Sequence, residues 1–493
     1  MGIDVDVVIV GAGFAGLGAA MALKGSGRTV QILERASALG GTWRDNVYPG
    51  VACDVPSQLY CFAAHPHVFW SREYAPGAEI QAYLERVARS EQIDELIRFD
   101  SPVRHARWTG DHWFIEVGGP RPISLRSQSI ILACGRLTEP RSPEVSGLDS
   151  FPGPMMHTAR WDDDVELRGT HIALVGTGAS AVQLLPQLVD RGATVTLFQR
   201  TPAWIMPKGD RRISGQEQGR WSSRPELLDE VRRRLLEDGE ARYASRSGDE
   251  DAVRFALDAA RSHLQRQVED ASLRELLTPH YPFGCKRVLL SDDFYPAIAS
   301  SAAKLEPSAL VAVKGQQLVA ASGAVHEADT LVFATGFETA RQPYAELIVG
   351  ERSRTLAEHW STGMTSVGST LVAGFPDLYI VNGPNASLGH NSSILMIEEQ
   401  CAFIARCLSG RTRPIRVSEA AEHAYTADIV GRSSGTPWVS GGCTNWYVDE
   451  RSGRLTLLWP GTVDEFREQL GRIRPSGIDL RQSAPSALSG SRG

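Results

Sequence analysis

No two of the seven cysteines in this 493-residue chain stand at CxxC spacing. That absence argues against a zinc ribbon and against a disulfide framework, and no other metal site is expected. The seven are expected to be reduced core thiols of a cytoplasmic enzyme. Lys and Arg are scattered and form no basic block, and the net charge is −7. Neither a nucleic acid nor an anionic membrane is therefore expected as a partner. No apolar stretch approaches the ~20 residues that span a bilayer. The first apolar run, Val5 to Val10, contains Asp6, follows no basic segment and meets glycine at once, so it does not read as a signal peptide. A hydrophobic content of 42% and a charged content of 22% suit a globular chain of two or three domains.

The chain does contain two nucleotide-binding turns. Val5 to Val10 reads as a buried parallel strand, Ala15 to Lys24 as a helix of small residues, and Thr29 to Leu33 as a second strand. Between strand and helix lies Gly11-Ala12-Gly13-Phe14-Ala15-Gly16, a GxGxxG turn. Gly11 makes the turn, Gly13 lets the backbone approach a pyrophosphate, and Gly16 permits close helix–strand packing. Glu34 ends the second strand, where an acidic side chain binds ribose hydroxyls. Trp113 to Val117 and Ser129 to Gly135 read as further strands.

A second unit begins at His171 to Val175 and turns through Gly176-Thr177-Gly178-Ala179-Ser180-Ala181. Its second strand, Thr194 to Phe198, is followed by Arg200 where the first unit has an acid. A guanidinium there suits a 2′-phosphate, which favours NADPH over NADH. From about 205 to 280 the chain is rich in Arg, Glu and Asp with Leu at helical spacing, and reads as a helical insert. Thr330 to Ala334 is another strand, a helix begins near Ser392, and the Ser-, Gly- and Pro-rich tail at 476–493 is expected to be disordered.

Between the two turns Phe151, Gly153, His157 and Trp161 stand at FxGxxxHxxxW spacing, followed by Asp162. With that linker, the chain from Val5 to about Phe466 resembles a type I Baeyer–Villiger monooxygenase, a class B flavin-dependent monooxygenase. Gly40-Gly41-Thr42-Trp43 leading to Tyr48-Pro49-Gly50 and Asp54 is similar to a second family segment, and so is Tyr281 to Val288. Ala181 departs from the pattern in place of the third glycine, and the N-terminal extension of some members is lacking.

The resemblance implies an α/β fold of two Rossmann-like dinucleotide-binding domains with a helical insert in the second. FAD would occupy residues 1–150 and 341–493, and NADPH residues 151–340. Gly11, Gly13, Gly16, Glu34, Gly41, Thr42 and Trp43 would bind FAD; Gly176, Gly178, Ser180, Arg200 and Lys286 would bind NADPH. Arg287 would be catalytic at the flavin, oriented by Asp54. The reaction implied inserts one oxygen atom of O2 beside a ketone carbonyl, through a flavin C4a-peroxide, to give an ester or lactone. His157 would be structural at the domain junction. Trp438, Trp446 and Trp459 read as core or pocket wall, and Pro384 to His390 as a loop lining the flavin domain. The alternatives are a sulfur or nitrogen oxygenase on the same scaffold, a flavin disulfide reductase, and a non-catalytic flavin-binding protein. The reductase needs a redox-active cysteine pair, and Cys401/Cys407 and Cys53/Cys61 both lack CxxC spacing.

Overall fold

The computed structural model of the protein describes residues 2–410 and 414–474; the tail expected at 476–493 lies outside them. In chain order the strands are β1 (Val5–Val10), β2 (Val30–Leu33), β3 (Ile97–Arg98), β4 (Val103–Trp108), β5 (Trp113–Val117), β6 (Ile123–Leu132), β7 (Met155–His157), β8 (His171–Val175) and β9 (Thr194–Phe198). There follow β10 (Ile205–Met206), β11 (Leu289–Leu290), β12 (Ala303–Glu306), a three-stranded meander β13 to β15 between Leu310 and Glu327, β16 (Thr330–Phe333), β17 (Ile348–Val349) and β18 (Leu378–Ile380).

The first sheet has the order β17-β4-β5-β6-β1-β2-β3, with β18 also paired to β6. Its centre is parallel: Val10 lies beside Leu33 on one side and Leu132 on the other. Val7 and Ile9 enter one core and Val8 the opposite one, which is why β1 is apolar from Val7 to Val10 instead of alternating. Strand β6 starts earlier than the sequence suggests, because Ile123–Ser127 pairs antiparallel with β5. It stops at Leu132, and Gly135 turns through φ +70°.

The second sheet is parallel throughout, in the order β12-β9-β8-β16-β7. Helix α1 (Phe14–Leu23) follows the first turn; α2 (Thr42–Asp45) and α3 (Gly77–Ser90) come next, and α4 (Ala179–Asp190) follows the second turn. Residues 215–277 form five helices, α5 (Gly215–Ser223), α6 (Pro225–Ala241), α7 (Tyr243–Ser247), α8 (Glu250–Gln267) and α9 (Ala271–Leu277). They do not pack on the second sheet alone. Trp221 of α5 and Leu228 of α6 join the core around β1, whereas Leu264 of α8 and Leu277 of α9 join the core under β8. Among the described residues no helix is long and apolar enough to cross a membrane.

One expectation is corrected. Cys285 and Cys443 form a disulfide, their Cα atoms 6.3 Å apart across 158 residues of chain. Spacing reveals only pairs that are close in sequence; here the fold brings a C-terminal loop onto the turn at Cys285. Cys53, Cys61, Cys134 and Cys401 are thiols, as expected.

The FxGxxxHxxxW linker is built for packing. Phe151 is buried beside β16, and a Cβ on Gly153 would lie 2.0 Å from the Asp329 carbonyl oxygen. His157 ends β7 opposite Phe333. Its Nδ1 accepts from the Ala159 N–H at 3.1 Å, its ring meets Phe337 edge-on, and its buried Nε2 finds no hydrogen-bond partner among the described residues. Burial holds the imidazole down at about 4, against an ordinary 6.5. The unfolded chain therefore takes up this proton first, so the contribution of His157 to stability is complete above pH 6.5 and falls as pH drops towards 4. His157→Gln should make the loss of stability between those values shallower, by roughly 1 kcal/mol per pH unit at most. Thermal unfolding across pH 4–7 measures it; an unchanged slope would contradict the assignment.

Candidate active site

The glycines of each turn divide into those the protein needs and one it does not. Gly11 has φ +107°, and a Cβ there would lie 2.5 Å from the Ala133 carbonyl oxygen; one on Gly16 would lie 1.9 Å from the Gly11 carbonyl oxygen. Both contacts are backbone on backbone and have no room to relax. Gly13 is different: its φ is −90°, and the nearest atom to a Cβ would be Gly41 Cα at 3.6 Å. The second turn repeats this. Gly176 has φ +117° and Ala334 O at 2.5 Å, whereas Gly178 has φ −78° and nothing within 4 Å. Ala181, in the third position, is fully buried. Gly13 and Gly178 thus leave open space where a dinucleotide pyrophosphate would approach.

The helices agree. Gly13 caps α1 and Gly178 caps α4; neither helix has a side-chain cap or an acidic residue in its first turn. By contrast, Ser214 and Glu217 form a full capping box on α5. Uncapped N–H groups at the positive end of a helix dipole are anion sites. The two turns fit FAD and NADPH on these grounds.

Other expected cofactor residues are already engaged within the protein. Glu34 is 4% exposed; its Oε2 accepts from the Ala12 N–H at 2.8 Å, and its Oε1 accepts from Ala36 N–H and Arg44 Nη1, both at 3.0 Å. A carboxylate has about four acceptor positions, so room for a ribose hydroxyl remains. Gly41, at φ +56°, faces Gly13, and Thr42 beside it is exposed. Trp43 is buried with its ring edge-on to Tyr60 at 5.5 Å, which is core packing. Ser180 neighbours the Tyr48 phenol, which donates to Gln183 Oε1 at 2.7 Å. Burial pushes that phenol up to about 12.

The fold brings together the two pairs of charged residues picked out in the sequence. Arg287, just before β11, donates from Nε to Asp54 Oδ2 at 3.0 Å and from Nη2 to the same oxygen. The side chains are each 30% exposed. Asp54 raises the Arg287 pKa further, so the guanidinium keeps its charge throughout. Lys286 lies over the Tyr281 ring and near Arg200; burial, and then the Arg200 charge, lower its pKa. Among the described residues neither Arg200 nor Lys286 makes an ion pair, which leaves both for an anion. Sequence reasoning missed Tyr447, a buried phenol on which the Arg287 charge acts. It adjoins Trp446, but no motif marks it. Trp438 and Trp459 are core, while Trp446 is exposed.

Comparison with known proteins extends the picture. A family profile described as pyridine nucleotide-disulphide oxidoreductase matches residues 8–215. A Baeyer–Villiger monooxygenase of Streptomyces coelicolor is 42% identical over 98% of this chain and 94% of its own. A protein of the same name from Pseudomonas aeruginosa is 34% identical over 98% of this chain and 93% of its own. The solved structure of an oxidized steroid monooxygenase bound to NADP superposes with a TM-score of 0.84 at 28% identity, covering 95% of this chain and 97% of that one.

Two predictions follow from the turns. Gly13→Leu should fold but lose bound flavin, whereas Gly16→Ala should lower the stability of the apoprotein by about 3 kcal/mol or more. Absorbance at the flavin band and thermal unfolding separate the two; full flavin occupancy in Gly13→Leu would refute the cradle. Arg200→Ala should raise KM for NADPH about tenfold to 150-fold, the worth of roughly 1.5–3 kcal/mol for a charged contact, with little change for NADH. Equal use of both nucleotides by the parent would contradict it.

Proposed function

The chain belongs to the Baeyer–Villiger monooxygenase family, and from that membership we propose that Arg287 is its catalytic cation and Asp54 the group that orients it. Its cofactors are FAD and NADPH; when bound, reduced FAD activates O2 and NADPH supplies the electrons. The substrate is a small molecule, here a ketone, and the product an ester or lactone.

The observation that carries the assignment is the Arg287–Asp54 ion pair, made between segments 233 residues apart. A fixed cation at the reacting centre stabilises the negative charge that builds up as oxygen adds to a carbonyl. Arg suits this task because it cannot lose its proton near neutral pH. Asp54 holds the Nε/Nη2 edge, which leaves other N–H donors for the reacting oxygen. Lys286 and Arg200 would hold the 2′-phosphate of NADPH, and Gly13 and Gly178 the two pyrophosphates.

A division into a flavin domain, 1–150 with 341–493, and a nicotinamide domain, 151–340, belongs to the same proposal. It is supported by β17 and β18 returning to the first sheet. A cytoplasmic location does as well, supported by four cysteines that remain thiols; the Cys285–Cys443 bond counts against it. That bonded pair lies outside residues 8–215, the part shared with disulphide oxidoreductases.

A panel of linear, cyclic, aryl and steroid ketones with one thioether, products identified by mass spectrometry, tests the reaction. Thioether oxidation without any ester would replace it with heteroatom oxygenation. Arg287→Ala should retain FAD and still oxidise NADPH, but release hydrogen peroxide in place of ester. Loss of one preorganised charge stabiliser costs roughly 3–4 kcal/mol, so ester should fall by hundreds-fold. Near-normal ester from this variant would sink the assignment.

A further inference from the structure

We propose that Arg136 is a fixed cation for the flavin end of bound FAD, and that its uncompensated charge favours the reduced cofactor over the oxidised one. The proposal rests on the reading of the first glycine turn as the FAD site.

Arg136 follows the end of β6 at Leu132 and is 6% exposed. Enclosing a guanidinium is costly unless a counter-charge goes with it. Arg136 has none: among the described residues it makes no ion pair. Its Nη1 donates to the Leu457 carbonyl at 3.1 Å and its Nη2 to Asn382 Oδ1. Both acceptors are neutral, and the Leu457 carbonyl is shared with the Ser387 N–H at 3.1 Å. The Arg136 Nε is buried and finds no hydrogen-bond partner among the described residues. Burial pulls the Arg136 pKa down to about 10, which still leaves the group charged at neutral pH. A whole positive charge thus sits inside the protein with only dipoles against it.

The place of that charge in the fold matches it to the cofactor. Dinucleotides bind outside the carboxyl ends of parallel strands. Along that edge of the first sheet the strands run β2, β1, β6, β18. Glu34 follows β2 and would take the adenosine ribose; the Gly11–Gly16 turn follows β1 and would take the pyrophosphate. The same direction carries the flavin half on to β6 and β18. Arg136 stands after β6 and Asn382 after β18, and their hydrogen bond joins the two. This edge is firmly built. The Ala133 N–H donates to the Val10 carbonyl at 2.9 Å. The Asn382 N–H donates to Gln400 Oε1 at 2.9 Å, and the buried Gln400 donates to the Ser369 carbonyl at 2.8 Å. Asn382 and Asn385 hold φ +59° and +56°, a left-handed conformation that gathers at ligand clamps. The pyrophosphate already has the uncapped end of α1, so the charge left for Arg136 is the one the isoalloxazine gains. Two electrons and one proton from NADPH leave that ring system negative, and a nearby cation favours the negative state.

The test uses the full-length, FAD-loaded enzyme without substrate and reads the two-electron midpoint potential of the flavin against a reference dye. Arg136→Gln removes the charge and keeps a hydrogen-bonding head. It should weaken the binding of reduced FAD about tenfold or more relative to oxidised FAD, which lowers the midpoint by about 30 mV or more. The dissociation constant for oxidised FAD should stay near the parental value. Arg136→Lys keeps the charge and should keep the parental midpoint. Asn382→Asp sets a carboxylate against the guanidinium at constant size, and should lower the midpoint in the same direction as Arg136→Gln. An unchanged midpoint in Arg136→Gln would overturn the proposal. Equal weakening of both redox states would also overturn it, since that marks a pyrophosphate contact or lost packing. If Arg136→Gln fails to fold, Asn382→Asp decides, and an unchanged midpoint there overturns the proposal. A parent that binds no added FAD ends the reading of the first turn and this proposal with it. A parent that binds FAD, with no shift in either variant, ends this proposal alone.

Discussion

Everything at the site depends on how two distant stretches of chain meet, because Asp54 lies in the loop between α2 and α3 and Arg287 just before β11. The ion pair itself is too weak to enforce that meeting. Both partners keep part of their surface in water, and at such sites the Coulomb gain is largely offset by desolvation and screening. The interface is held by other means. Tyr48 donates to Gln183, Gln183 donates back to the Ala52 carbonyl at 3.0 Å, and the Glu73 N–H donates to the Arg211 carbonyl at 2.9 Å. On the far side, Glu240 of α6 accepts from Asn391 at 2.7 Å and from the Val463 N–H at 2.8 Å. The helices at 215–277 thus clamp both halves, which explains why their apolar residues are shared between two cores. The ion pair is a consequence of the interface and a probe of it.

The electrostatics of the cleft are unbalanced for an otherwise acidic chain. The net charge is −7, yet Arg200 and Lys286 stand near each other without an ion pair among the described residues; burial, and then their repulsion, lower Lys286. Two helices, α1 and α4, also begin with N–H groups that no side chain caps. Such an arrangement costs stability when empty, and an anionic dinucleotide reverses the sign of each term. A phosphate beside Lys286 favours its charged form, and pyrophosphates satisfy the helix ends.

The parts legible in the sequence were those governed by local rules. Both βαβ units, the positions of Gly11, Gly16 and Gly176, and the start of the helix at Ser393 after its Ser392 cap follow from residue type and spacing. Arg200 followed from its place after the second strand, Asp54, Arg287 and Lys286 came from resemblance, and the fold gathers them into two pairs. What stayed hidden was non-local. The early start of β6 depends on β5 as its partner. The engagement of Glu34 with Ala12, Ala36 and Arg44 depends on how tightly the first turn closes. The Cys285–Cys443 bond exists only because the C-terminal loop folds back on residue 285, which no periodicity announces.

That fold-back is the strongest single restraint near the chemistry. Closing a loop of 158 residues removes chain entropy from the unfolded state worth about 5 kcal/mol in the simplest treatment, far more than the ~0–1 kcal/mol of a solvent-exposed ion pair. The comparison decides which contact leads and which follows. Asp54 orients the Arg287 guanidinium, but it does not hold the backbone that carries it. The Arg287 turn is tied to the C-terminal loop two residues upstream, set against β11, and only then meets the carboxylate. A cation fixed in this way does not have to reorganise when charge develops beside it, which is the condition under which a single guanidinium contributes most to catalysis.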